Sequence, residues 1–164
     1  MALSLFTPLL LVLKTLAALA APPRVFEKGD GGFKRGLYDA VREWGESSSS
    51  AEEKYGNINE WDVSRVENMN AVFRETQVFD QDLSKWDVSK VTDMNAMFSN
   101  AQAFDQDLST WDVSKVTTME GMFDNAHVFD QNLSTWDVSK DTTTEAMFNN
   151  AQAFSDCNKK AILT

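Results

Sequence analysis

The residues with the most chemical potential in this chain are carboxylates that recur at a fixed interval. Asp62, Asp87, Asp112 and Asp137 lie 25 residues apart. Asp80, Asp105 and Asp130 form a second series, with Asp82, Asp107 and Asn132 two positions further on. Stacked carboxylates supply hard oxygen ligands, so one chemistry open to them is a Ca²⁺ ladder. The glycine-rich nonapeptide of calcium-binding β-solenoids is absent, which favours turn capping and an acidic, solvated surface instead. Paired carboxylates also suit glycoside hydrolysis. Here, however, the same pair recurs in copy after copy, whereas a catalytic constellation is normally singular and sits in a pocket. No catalytic residue is therefore assigned, and the chain is expected not to be an enzyme.

The remaining reactive side chains are few. His127 stands where neighbouring copies have Gln and reads as surface drift. Cys157 is the only cysteine, which excludes an intrachain disulfide framework or a multi-cysteine metal site. Asn132-Leu133-Ser134 is an N-glycosylation sequon; it arises where other copies have Asp, so drift of the repeat explains it equally well. The 164 residues carry 15 basic and 25 acidic groups, a net charge of −10. That balance argues against nucleic-acid binding, which needs a basic footprint. The four copies counted from Trp61 hold −9 of that charge.

The elements that must position these groups follow from the repeat. Trp-Asp-Val-Ser begins at Trp61, Trp86, Trp111 and Trp136 with no insertion between copies. A period of this length signals a stacked array, because one unit cannot bury its apolar face alone. In the second copy the apolar positions are Trp86, Val88, Val91, Met94, Met97, Phe98, Ala101, Phe104 and Leu108. Met94, Met97, Phe98 and Ala101 are spaced by three and four, which predicts a short helix. Thr92 would be its N-cap, and Thr117 with Glu120, like Thr142 with Glu145, would form capping boxes. Asn100, Asn125 and Asn150 suit the left-handed end of such a helix. Asp107 to Trp111 predicts a short strand with a bend before the Trp, and Asp112-Val113-Ser114 a turn fixed by side-chain hydrogen bonds. The expected fold is thus an α/β repeat solenoid, leucine-rich-repeat-like, with one short strand and one short helix per 25-residue coil and parallel strands about 4.8 Å apart. The fourth copy is degraded, with Asp141 in place of Val and Thr144 in place of the first Met.

Outside the array, residues 1–21 read as a signal peptide or leader, with small-residue cleavage sites between Ala17 and Ala21. Residues 22–36 read as a linker. Residues 37–56 read as an N-terminal helical cap, with Leu37, Ala40, Val41 and Trp44 forming one apolar stripe. The solenoid runs over 57–155 as a leading half plus four copies, and 156–164 is a tail that starts like a helix cut short.

The pattern W-D-V-S-K-V-T-x-M-x-x-M-F-x-x-A-x-x-F-x-Q-x-L-S resembles the 25-residue repeat of BspA-like leucine-rich-repeat surface proteins, known from Mycoplasma lipoproteins and from other microbial and algal proteins. The resemblance covers Tyr55 to Phe154. It implies a leucine-rich-repeat-like solenoid, often surface-exposed and sometimes adhesive, and it implies no catalytic residues. The family's usual Asn before the Gln is Asp here, at Asp80, Asp105 and Asp130. No Cys lies near residue 20, so the lipid attachment of the lipoprotein relatives is not implied.

Together these readings predict a monomeric, non-catalytic protein, secreted or at the cell surface, that binds a protein or glycan partner through an exposed strand face. Asp82, Ser84, Asp107, Ser109, Asn132 and Ser134 are the expected contact residues, and no transmembrane span is expected beyond the leader. The alternatives are a calcium-stabilised structural module and a fragment of a longer repeat protein without independent activity.

Overall fold

A computed structural model describes residues 24–26, 33–138, 142–155 and 158. The leader and the tail beyond residue 158 lie outside the described residues, as do Asp141 and Cys157. Among the described residues the first helices are α1 over Phe33–Glu46 and α2 over Ser48–Tyr55. Leu37, Ala40 and Val41 of α1 are fully buried, as their spacing of three and four requires. Ser47 separates the helices, and its amide still donates to the Glu43 carbonyl. Lys54 then holds the pair together, donating to both carboxylate oxygens of Glu43 at 2.9 and 2.7 Å. Gly56 ends α2 with φ +75°, a conformation that costs glycine little. A single 3₁₀ turn, Ile58–Glu60, leads into the repeats.

Within the stretch read as linker, Arg24–Phe26 joins the core. Val25 bridges Asp62 in parallel, and Phe26 is buried with its ring 5.2 Å from Trp61.

The repeats do stack in 25-residue register, but not as the strand-and-helix solenoid expected. Among the described residues the repeats contain no strand beyond isolated bridges (Asn68 to Asp93, Asp93 to Thr118, Thr118 to Thr143) and no helix. The segment from Met94 to Ala101 is a run of turns. Its backbone explains why. Ala96 and Asn100 both have positive φ, at +49° and +60°. Two left-handed residues four apart cannot lie in a right-handed helix. The amides divide their bonds accordingly. Met97, Ser99 and Ala101 donate three residues back within the copy, closing tight turns. Met94, Ala96, Phe98 and Asn100 instead donate to the carbonyls of Thr118, Glu120, Met122 and Asp124 in the next copy. The same four-bond ladder joins the first copy to the second and the third to the fourth, at 2.7–3.0 Å throughout.

The predicted N-caps have another role for the same reason. Thr92 and Thr117 donate their hydroxyls across the stack, to the carbonyls of Glu67 and Thr92. The predicted strand is a turn as well: the amide of Trp111 donates to the Leu108 carbonyl at 3.1 Å. The indole N–H of each Trp from Trp86 onward reaches back a full copy. Trp111 donates to the Leu83 carbonyl at 3.0 Å, and Trp136 to that of Leu108 at 2.9 Å.

The core is a set of aromatic columns. Phe73, Phe98, Phe123 and Phe148 stack with ring centroids 5.2–5.6 Å apart. Phe79, Phe104, Phe129 and Phe154 stack at 5.8–6.1 Å. All nine apolar positions of the second copy are buried. Trp44 of α1 closes the first end, packing edge-on against Phe79 at 5.6 Å. No helix among the described residues is long and apolar enough to cross a membrane.

Candidate functional site

The carboxylate columns separate into two kinds of work. The first is turn closure. Asp62, Asp87 and Asp112 each accept the amide of the Ser two residues on, at 3.0–3.1 Å. Asp82 and Asp107 do the same for Ser84 and Ser109 at 2.8 Å, and Asn132 for Ser134 at 2.9 Å. A short side chain with an acceptor oxygen is what such a turn needs, and Asn meets the need as well as Asp. Ser84 and Ser109 hold the pKa values of Asp82 and Asp107 below the ordinary carboxylate range, through the backbone amide first and the hydroxyl second. Asp62 and Asp112 are lowered too, there mainly by the hydroxyls of Ser64 and Ser114.

The second kind is stapling between copies. Asp80 accepts the amide of Asp105 at 3.0 Å and the side-chain amide of Gln106 at 2.8 Å. Asp105 holds Asp130 and Gln131 in the same way. Asp130 in turn accepts the Ser155 amide at 2.9 Å. A carboxylate that takes two N–H donors from the next copy is a strong, charge-assisted joint. The Asp-Gln pair therefore recurs because each copy supplies an acceptor to one neighbour and two donors to the other. Among the described residues, no three His, Cys, Asp or Glu side chains converge as a metal site would require.

The structure brings the six expected contact residues to one outer corner. Asp82, Asp107, Asn132 and Ser134 are exposed, and Ser84 and Ser109 half-buried. Thr110 and Thr135 lock the corner by donating to the carbonyls of Ser84 and Ser109 at 2.9 and 2.8 Å. The corner is a column of turns rather than a strand face. Asn132, the sequon residue, uses its side-chain oxygen on Ser134. His127 is half-buried, and its carbonyl accepts the Ala153 amide.

Two features were not read from the sequence. A cleft of about 330 Å³ is lined by Asn59, Glu60, Trp61, Asp62, Val63, Lys85 and Asp87. Lys85 and Glu60 form an ion pair there, and the bond to Glu60 is the main cause that raises the Lys85 pKa. The signal was Lys85 itself, the one basic residue in a slot that Thr110 and Thr135 fill elsewhere. A second cleft, about 540 Å³, separates α1 from the first copy, and Val78 on its rim is 84 % exposed.

A stack of turn-built copies, stapled by carboxylates and filled by aromatic columns, defines a repeat-array protein. The family model that matches residues 44–160 is described as Mycoplasma protein of unknown function, DUF285, and the chain belongs to this family. No curated protein matches the chain. No solved structure matches it either.

Proposed function

We propose that the chain is a non-catalytic binding scaffold, displayed at a surface or secreted, that holds a protein or glycan partner across the outer turn corner. The observation that carries this reading is a division of labour among carboxylates. Asp80, Asp105 and Asp130 are consumed by the stack, whereas Asp82 and Asp107 bond only within their own turn and face solvent at repeat spacing. A rigid row of acceptors and hydroxyls at regular intervals suits a ligand with hydrogen-bond donors at matching intervals, such as a glycan or an extended peptide. The sequence's resemblance to BspA-like surface proteins supports the same location and task.

The test is binding of the purified chain to an immobilised panel of glycans and extracellular proteins. A hit that is lost in Ser84→Lys/Ser109→Lys/Ser134→Lys, with the denaturation midpoint unchanged, supports the corner. A hit that survives those changes removes it as the binding face.

A further inference from the structure

The outer corner repeats one turn with one change of side chain. Asp82, Asp107 and Asn132 each accept the amide of the Ser two residues on, at 2.8–2.9 Å. The Leu between them (Leu83, Leu108 and Leu133) is fully buried each time and pins the turn to the core. Asp82 and Asp107 have described copies stacked on both sides and are exposed all the same, so solvent reaches this slot wherever it lies in the stack. Asn132 is exposed in the same slot. The atom that accepts an amide N–H must be the side-chain oxygen, which leaves Asn132 Nδ2 outside the turn bond. The carboxylates of Asp82 and Asp107 have no such nitrogen. Asn132-Leu133-Ser134 is also the one Asn-x-Ser/Thr tripeptide in the 164 residues.

We propose that Asn132 is an N-glycan attachment site, loaded from an oligosaccharide donor carried on a lipid pyrophosphate. In the transfer Asn132 Nδ2 bonds to the anomeric carbon of the donor. The bond from that carbon to the pyrophosphate oxygen breaks, and the oxygen leaves with the electron pair. One Nδ2 proton passes to a base of the transferase, and nothing is oxidised or reduced. The tripeptide supplies the acceptor, and an exposed turn has room for a bulky, solvated substituent. The fold keeps its own bond through the change, because Nδ2 carries the glycan while Oδ1 still accepts the Ser134 amide. A glycan here takes the third corner turn out of the partner face and leaves that face to Asp82–Ser84 and Asp107–Ser109. The site rests on the reading that the chain is secreted or displayed at a surface, since such donors are used on chains passing through a secretory membrane.

The test produces the full chain in eukaryotic secretory cells, once on its own leader and once with a proven secretion leader fused ahead of it. Intact mass is read before and after peptide N-glycosidase, on cells and medium together. The fused chain is expected to carry one glycan, which the enzyme removes to leave aspartate at position 132. Asn132→Asp is expected to lose the whole mass increment and to keep the denaturation midpoint of the deglycosylated native chain, because Asp closes the same turn in two other copies. Either of two outcomes overturns the site: the fused chain is recovered at its bare mass, or an enzyme-sensitive increment remains in Asn132→Asp. A glycan on the fused chain but not on the chain with its own leader supports the site and removes the secreted location.

Discussion

The second and third copies and the fourth follow the same backbone path with unequal cores. In the inner copies Met94 and Met119 are fully buried, whereas Thr144 in the same slot is half-buried. Phe98 and Phe123 are sealed, whereas Phe148 is not. The register also differs at Thr142: Thr92 and Thr117 donate hydroxyls 25 residues back, while Thr142 reaches 26 back, to Val116. Even so, all four ladder bonds from the third copy to the fourth survive at 2.7–2.9 Å. Path and core are therefore separable. The ladder and the left-handed residues set where the chain runs, and the apolar columns set how firmly it stays there.

Phe98→Ala breaks the comparison most directly. Its ring meets Phe73, Phe104, Trp111 and Phe123, so its loss is expected to cost about 3–5 kcal/mol. Phe148→Ala, whose ring meets Phe123 and Phe154 among the described residues, is expected to cost roughly 1–2 kcal/mol. Equal losses in urea denaturation would show that the fourth copy is no looser than the second. Thr144→Met sharpens the contrast from the other side. Continuing the Met94–Met119 column is expected to gain about 1–2 kcal/mol, read from the same denaturation midpoints.

Smaller effects probe the path. Trp111→Phe keeps an aromatic ring but removes the indole donor to Leu83, whose carbonyl retains the Trp86 amide, so a loss of about 1 kcal/mol is expected. Gly121→Ala separates space from conformation. A Cβ there would meet nothing closer than 3.8 Å, so only the positive φ of +58° opposes it, and the expected cost is about 1 kcal/mol. Ala96→Gly, at the same slot of the copy before, is expected to be neutral or slightly stabilising. A thermal scan that ranks the two changes the other way would remove the left-handed residues as the helix breakers.

Much of this was legible in the residues. The period, the stacking and all nine buried positions of the unit follow from apolar spacing alone. The left-handed Asn100 and Asn125 were also readable, although they end tight turns and not helices. The helix itself was misread because spacing by three and four buries one face of a helix and equally the inside of a turning coil. The discriminating fact is the positive φ at Ala71, Ala96 and Ala146, and alanine carries no signal for it. Gly121 did carry that signal, as the only glycine in the repeats and in that same slot. At the candidate site, the turns formed by Asp62, Asp87 and Asp112 were predicted from residue type. The stapling by Asp80, Asp105 and Asp130 was not, since its partners lie a full copy away and only the stack brings them together.

The smallest effect is the one that tests the outer corner itself. Asp82 and Asp107 close turns as carboxylates and are held below their ordinary range by Ser84 and Ser109. A group whose folded value is depressed contributes stability above its unfolded value, near pH 4. That contribution fades as pH falls through the lower folded value. The Asp82 and Asp107 turns therefore loosen with acid from pH 4 downward, and neither responds between pH 5 and 8. Asn132 closes the corresponding turn with a neutral oxygen and has no proton to gain. In a pH titration by heteronuclear NMR, the amide shifts of Ser84 and Ser109 are expected to move between pH 5 and 2 while that of Ser134 stays in place. Asn132→Asp should transfer the response to Ser134. If Ser134 already moves with the other two in the native chain, the titration reports loss of the whole stack and not of these turns, and the corner is no more acid-sensitive than the columns beneath it.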